Sequence, residues 1–249
     1  MKTIAILNLK GGVAKTTTVI NTAAVLARDH GKKVLVIDAD SQCNLTEFFL
    51  NAPTHATLAE LLRSSRLTNP EWLVHCTEIE GVDIIPADDA LMDLDLSAVG
   101  AGKADAMAIS TGLAKLRMQY DFCLIDCPPA FNAASAAALA AADEVLIPIK
   151  LDAFSLRGMG NLMRQVKNMR KINSDLQIAG ILPTMYYRSE QSREAKRILS
   201  ASNFRLYSPI RRSDKVDYMT YEQQPLCLCS PKSGPAVDYR RFVRELIGE

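Results

Sequence analysis

A short apolar run, Thr3-Ile-Ala-Ile-Leu7, stops at Asn8-Leu9-Lys10-Gly11-Gly12-Val13-Ala14-Lys15-Thr16-Thr17-Thr18, and a helical pattern begins there at once. Strand, glycine turn and helix in direct succession leave few folds open to the chain. Gly11 and Gly12 let the backbone bend tightly and turn its N–H groups toward one point. The first helical turn adds unbonded N–H groups and the positive end of the helix dipole, so the bend favours an anion. Such a bend keeps its shape only if the strand before it and the helix after it are both packed, which is the strand-helix alternation of an α/β sheet.

The rest of the chain repeats that alternation. Apolar runs recur at 3–8, 33–38, 82–86, 122–126, 144–149 and 177–183, with a seventh candidate at 205–210. They are continuous rather than alternating, as expected of strands covered on both faces. Helical patterns fall at 15–29, 56–63, 104–119, 133–142, 155–171, 190–201 and 235–247. The expected fold is α/β: a P-loop-type, mostly parallel twisted sheet covered by helices on both faces. With 249 residues, 48% of them apolar, the chain can bury a core of that size without staples, and one domain over 1–249 is expected. Residues 64–103 are the least patterned, and 83–95 are locally acidic.

The chain opens without a signal-peptide pattern, and no run approaches the ~18 apolar residues of a membrane span, so a cytoplasmic protein is expected. In that setting the six cysteines (Cys43, Cys76, Cys123, Cys127, Cys227, Cys229) read as free buried thiols. Cys227 and Cys229 stand two apart and could share one face of a strand. His30, His55 and His75 lie in polar or loop-like sequence and are assigned no chemistry.

The glycine turn departs from the strict G-x-x-x-x-G-K-[ST] loop, since Leu9 and Ala14 hold the two glycine positions. Its chemistry survives: Lys15 is placed to reach β- and γ-phosphates, and Thr16 to put a hydroxyl on Mg²⁺. Lys10 adds a second lysine ahead of the glycines and completes the deviant pattern K-G-G-x-x-K-[ST]. On these residues the chain resembles the ParA/MinD group of deviant-Walker P-loop ATPases. The resemblance implies ATP and Mg²⁺ as ligands, with Lys10, Gly11, Gly12, Val13, Ala14, Lys15, Thr16 and Thr17 binding ATP. It also implies that Lys10 reaches across a dimer interface to phosphates held by the partner subunit.

Carboxylates for the metal are expected at the C-terminal ends of neighbouring strands, where open α/β sheets place their sites. Two apolar runs end that way, at Asp38-Ala39-Asp40 and at Asp126-Cys127-Pro128-Pro129. The second resembles a Walker B strand, in which Asp126 holds magnesium through a water and Pro128-Pro129 begins a switch loop. The first resembles the family's switch I, with Asp38 in the outer magnesium shell and Asp40 orienting the attacking water. The implied catalytic set is thus Lys10, Lys15 and Asp40, and the metal set Thr16, Asp38 and Asp126, with charge stabilisation supplying most of the acceleration. The likeness continues through 145–158, 181–199 and Pro231-Lys-Ser-Gly with Asp238-Tyr239, and is weakest over 50–100. Departures are Ser41 for the usual Pro, Cys43 for Gly, and Ala14 for Gly, which suggests a negative φ there. Ile210-Arg211-Arg212-Ser213 stands where relatives have Ile-Pro-Arg-Asn near the base.

Residues 1–150 carry 12 Lys+Arg against 18 Asp+Glu, and 151–249 carry 17 against 10. The P-loop strand opens the chain, with no N-terminal operator-binding extension, which resembles the short, Soj-like ParA type. That type implies an ATP-closed homodimer that binds DNA non-specifically and associates with the nucleoid, and a ParB-like partner that stimulates hydrolysis and releases it. Candidate DNA contacts are Arg188, Arg193, Lys196, Arg197, Arg211, Arg212 and Lys215, with Arg240, Arg241 and Arg244 as further candidates. The alternative is a MinD-like membrane-cycling ATPase, for which the final helix supplies a pattern: Val237, Tyr239, Phe242, Val243, Leu246 and Ile247 toward one face, arginines on the other. A helix docked on the sheet has the same pattern, and no stable membrane association is expected. A nitrogenase-iron-protein-like electron carrier, with Cys127 beside the Walker B aspartate, and a biosynthetic ligase or kinase remain open.

Overall fold

The structure is a computed structural model that describes residues 1–51, 56–63 and 70–249; His55 lies outside the described residues. Its strands are β1 (Lys2–Ile6), β2 (Val34–Asp38), β3 (His75–Cys76), β4 (Val82–Ile85), β5 (Phe122–Asp126), β6 (Glu144–Lys150) and β7 (Gln177–Thr184). They form one sheet in the order β3-β4-β2-β5-β1-β6-β7. Every pairing is parallel except β3 with β4. The helices are α1 (Lys15–His30), α2 (Asn44–Phe49), α3 (Leu58–Arg63), α4 (Leu96–Gly100), α5 (Ala108–Leu116), α6 (Ala133–Ala141), α7 (Ala153–Met169), α8 (Glu190–Ser200), α9 (Lys215–Glu222), α10 (Leu226–Cys229) and α11 (Gly234–Ile247).

The two-residue period of a strand divides the core in two. Ile4, Ile6, Val34, Val36 and Leu124 face α1, α2, α9, α10 and α11. Ala5, Leu7, Leu35, Ile37 and Ile125 face α3 to α7. Both faces are therefore covered, as the unbroken apolar runs require. A smaller cluster, Ile149, Leu151, Ile181, Ala195 and Leu199, seats α8 beside β7. The order of strands reverses at β1: the chain passes to β2 and β4 on one side and to β6 and β7 on the other. The glycine turn at the C-terminal end of β1 thus sits at the switch point of the sheet, where α/β folds open a crevice.

Four sequence expectations change. Residues 205–210 make no strand; Leu206 bridges Ile181 of β7, and Ile210 N donates to Pro183 O at 2.8 Å. Ile181 N donates to Arg205 O and Tyr207 N to Ile181 O, but the next ladder bonds need N–H groups that Pro183 and Pro209 lack. The pattern at 104–119 yields only Ala108–Leu116. Cys227 and Cys229 lie in the short helix α10, not on a strand, and of the six free thiols only Cys123, Cys127 and Cys227 are buried while Cys76 is exposed. Val237 is exposed rather than on the apolar face of α11. The rest of that face is spent inside the molecule: Tyr239, Phe242, Val243 and Leu246 are buried, with the Tyr239 hydroxyl 3.2 Å from Thr18 Oγ1. The Phe242 ring meets Tyr207 edge-on at 5.0 Å. No helix among the described residues is long and apolar enough to cross a membrane.

The 205–210 segment comes so close to β7 that a side chain at Gly180 has no place. Gly180 has φ 148°, and a Cβ there would stand 2.6 Å from Arg205 O and 2.7 Å from the Tyr207 ring. Gly180→Ala is expected to cost about 1–3 kcal/mol, read as a lower urea midpoint, with the Tyr207 ring environment altered; an unchanged midpoint would show that the segment is not held there.

Candidate functional site

The glycine turn is fixed at both ends. The buried Asn8 donates from Nδ2 to Pro148 O on β6 (2.7 Å) and accepts from Lys10 N (3.0 Å). At the other end the buried Thr184 of β7 donates its hydroxyl to Val13 O (3.0 Å). Between these ties Gly12 and Ala14 both take left-handed backbone, at φ 67° and 64°. The negative φ expected for Ala14 is therefore wrong. Ala14 O must receive both Thr18 N (3.0 Å) and the Thr18 hydroxyl (2.7 Å) to start α1, and with Val13 anchored only a positive φ turns it that way. The β-carbon pays for this with about 1–2 kcal/mol of strain. No atom would crowd a Cβ on Gly11 or Gly12, so the turn's outer surface is open.

The two lysines of the turn go to different places. Lys15 opens α1, is buried, and brings Nζ to 3.5 Å from Lys10 O. Burial pushes its pKa down, and Asp126, Cys127 and Asp40 pull it back up. Lys10 points outward to the start of α7. Its Nζ donates to Asp152 Oδ1 and Oδ2 (3.0 and 2.9 Å) and to Ser155 Oγ (3.1 Å). Asp152 is also the N-cap of α7, accepting from Ser155 N (2.8 Å). Burial pushes its pKa up, but the Ser155 and Lys10 bonds prevail and hold it below the ordinary carboxylate range.

Register brings the carboxylates together: Asp38 of β2 pairs with Asp126 of β5, and Asp126 with Ile6 of β1. Asp38 is fully buried and its oxygens are taken, Oδ2 by Thr46 N (2.9 Å) and the Thr46 hydroxyl (2.7 Å), Oδ1 by Asp40 N (3.1 Å). Burial raises its pKa to about 6. Asp40 stands at the cavity wall, accepting Gln42 N at 3.1 Å. Asp126 is buried, and burial and the nearby Asp38 raise its pKa against the opposing Thr16 hydrogen bond and Lys15 charge. Its Oδ1 has no hydrogen-bond partner. An orphaned carboxylate oxygen beside a threonine hydroxyl and a buried ammonium fits a hydrated divalent cation held against a phosphate, with Asp38 as the outer support. Beside Asp38, the Cys43 thiol is pushed up to about 12 by burial and by that carboxylate, which leaves it inert. Cys43 takes the left-handed conformation (φ 55°) that starts α2.

Two cavities meet at Ala14, Thr17 and Met185. One, of about 440 Å³, is lined by residues 11–17 with Asp40, Gln42, Asn44 and Pro129. The other, of about 550 Å³, is lined by Tyr187, Ile210, Arg211, Arg212, Asp214 and Asp217 among others. The structure thus gathers Gly11, Gly12, Val13, Ala14, Lys15, Thr16, Thr17, Asp38, Asp40 and Asp126, and sets Lys10 on the outer rim. Of the basic candidates, Arg211 and Arg212 line the second cavity and the others lie outside both. Arg188, Arg193, Lys196, Arg197, Arg211, Arg212 and Lys215 are all exposed. Arg197 is bound to Glu194 (2.8 Å), and Arg211 is locked onto the buried Asp238 (2.7 Å) and Gly234 O (3.2 Å). Arg240 is paired with Asp29 and Arg241 with Asp238. Asn8, Thr46, Asp152 and Thr184 were not singled out from sequence. Two of them carried a signal: Thr46 stands at the closing threonine of the switch I pattern D-x-D-P-Q-x-N-x-T, and Asp152 is an aspartate three residues before a serine at a helix start.

The AAA domain family matches residues 1–178. The chromosome partitioning protein ParA of Caulobacter vibrioides is 32% identical over 255 residues, covering 99% of this chain and 94% of that protein. The structure of McdA from Cyanothece superposes with a TM-score of 0.87 at 28% identity over the whole of both chains. Cobyrinic acid a,c-diamide synthase from Mycobacterium smegmatis, with bound ADP and magnesium, gives 0.82 at 30% identity over 99% of this chain and 94% of that one.

Two stability effects test this geometry. Asp126→Asn, which removes a buried charge with one unbonded oxygen, should stabilise the ligand-free chain by about 1–3 kcal/mol in urea titration. Ala14→Gly should be neutral or stabilising by about 1 kcal/mol; a loss of stability would mean that φ is not positive there.

Proposed function

The chain belongs to the ParA/MinD group of deviant-Walker P-loop ATPases, and from that membership we propose that it is an ATP-driven partition switch. In this reading ATP closes a homodimer, the dimer binds DNA without sequence preference, and hydrolysis stimulated by a ParB-like partner resets it. One observation carries the proposal: two lysines on one turn, Lys15 buried under the cavity and Lys10 held at the rim by Asp152. A single-subunit site needs only the inner amine. An outer amine with an exchangeable partner suits a phosphate that arrives on a second subunit.

The triphosphate would occupy the 440 Å³ cavity lined by the turn and the first turn of α1, whose free N–H groups favour an anion, with Lys15 supplying the positive charge. The base fits the adjoining 550 Å³ cavity. Thr16 and Asp126 would hold Mg²⁺, with Asp38 behind them, and the ion when bound neutralises charge on the β- and γ-phosphates. Asp40, on the cavity wall, orients the attacking water. Lys10 leaves Asp152 and donates to the partner's γ-phosphate as charge builds there. Asp38 holds the 40–46 segment through Asp40 N and Thr46, so it positions Asp40 rather than touching the nucleotide.

A membrane-cycling role has less support, because the apolar face of α11 is already buried. ATP-dependent binding to anionic vesicles but not to DNA would nevertheless favour it. A metabolite-dependent turnover, like that implied by the synthase neighbour, would favour a ligase.

Lys15→Ala is expected to abolish ATP binding and ATP-driven dimerisation, measured by calorimetry and light scattering. Asp40→Ala should bind ATP with little change in affinity yet lose at least about a hundredfold in turnover, leaving a trapped dimer on DNA. Normal turnover would remove Asp40 from its role.

A further inference from the structure

Helix α7 and the two residues after it, 153–171, carry Arg157, Arg164, Lys167, Arg170 and Lys171 and not one carboxylate. The segment 188–217, which holds the cations expected to touch DNA, has eight of them against four carboxylates, and two of its arginines are bound to Glu194 and Asp238. Among the described residues Arg164, Lys167, Arg170 and Lys171 form no salt bridge; Arg164 reaches Asn161 Oδ1 (2.9 Å) and Arg170 reaches Leu176 O (2.9 Å).

Helical geometry sorts these residues onto one side. Leu162, Val166 and Met169 are buried against the sheet. Arg157, Asn161, Arg164, Asn168 and Lys171 follow at intervals of three and four along the exposed side, with Gly158, Gly160 and Lys167 beside them. The row runs about 20 Å, the axial length of about six base-pair steps, or about three successive phosphates when it follows one strand. Its last two turns line a shallow hollow formed by Arg164, Lys167, Asn168, Arg170 and Lys171.

We propose that this face of α7 is a docking surface for the phosphate backbone of double-stranded DNA. The inference rests on the DNA reading above and gives it a surface different from the 188–215 cations. Composition chooses DNA over an acidic protein. Protein interfaces are anchored by exposed aromatic or large apolar side chains, and among the described side chains of 153–171 none of that kind is exposed; Ile172, 57% exposed, stands only past the end of the row. Arginine, lysine, asparagine and glycine are what a phosphate track needs: point charges, amide donors and close backbone approach. A Cβ on Gly158 or Gly160 would meet nothing within 4 Å, so the track is open there. A closed dimer carries the row twice, and two weak rows add into one strong site.

The test is a salt titration of binding to a random-sequence duplex, with ATP and with ADP, for the full chain and for Arg164→Gln/Lys167→Gln/Lys171→Gln. The variant should dimerise and hydrolyse ATP without DNA as the parent does. It should bind DNA at least about tenfold more weakly, and each lost phosphate contact should lower the slope of log affinity against log salt by about 0.9. Equal affinity and slope, with the parent binding well, overturn the α7 assignment alone. A parent chain that binds no DNA in either nucleotide state overturns the DNA reading itself. Binding of polyglutamate as tight as binding of DNA at matched salt overturns the choice of partner. If the triple variant misfolds, Lys167→Gln and Lys171→Gln taken singly still have to change the slope.

Discussion

Two hydrogen bonds, Asn8 Nδ2 to Pro148 O and the Thr184 hydroxyl to Val13 O, set the shape of everything at the head of the sheet. Both come from buried side chains, and both tie the glycine turn to strands on the far side of β1. With its ends fixed, the turn can close only by taking left-handed backbone at Gly12 and Ala14. That conformation sends Lys15 inward and Lys10 outward. The divergence of the two amines is thus a product of strand packing.

The interior carries a matching electrostatic cost. Asp38 and Asp126 lie side by side in register and both resist ionisation. Asp38 has two neighbours to satisfy it, whereas Asp126 keeps one oxygen without a partner. Folding alone does not repay that cost, because an unbonded buried carboxylate oxygen lowers stability. A cation and a phosphate arriving together would repay it. A site built this way is held in readiness by the same packing that makes the empty protein less stable.

Most of the sheet was legible because parallel strands buried on both faces leave unbroken apolar runs, and the six such runs at 3–183 became β1, β2, β4, β5, β6 and β7. The two-residue strand β3 is too short to leave a period, and α2, α4, α9 and α10 are too short or too mixed to leave one either. Residues 205–210 have the composition of a strand but only the start of its ladder, because prolines on both sides of the pairing lack the N–H groups that would continue it. At the site, the turn, the two lysines and the strand-end aspartates were legible from types and spacing. Asn8 and Thr184 were not, because each acts by touching a backbone group distant in sequence. The positive φ at Ala14 runs against the local preference of a side chain because tertiary ties outweigh it. The basic face of α7 emerges only from the helical placement of its charges, which the basic excess of 151–249 as a whole does not localise.

Asp238 holds Arg211, on the wall of the larger cavity, and Arg241 on its own helix, with its carboxylate buried between them. The Arg211 guanidinium rests against Gly234, at the first turn of that helix, where a Cβ would come within 3.1 Å of it. The wall of the cavity and the last helix are therefore one mechanical piece. A substitution at either Arg211 or Asp238 will shift the cavity wall and the first turns of that helix together.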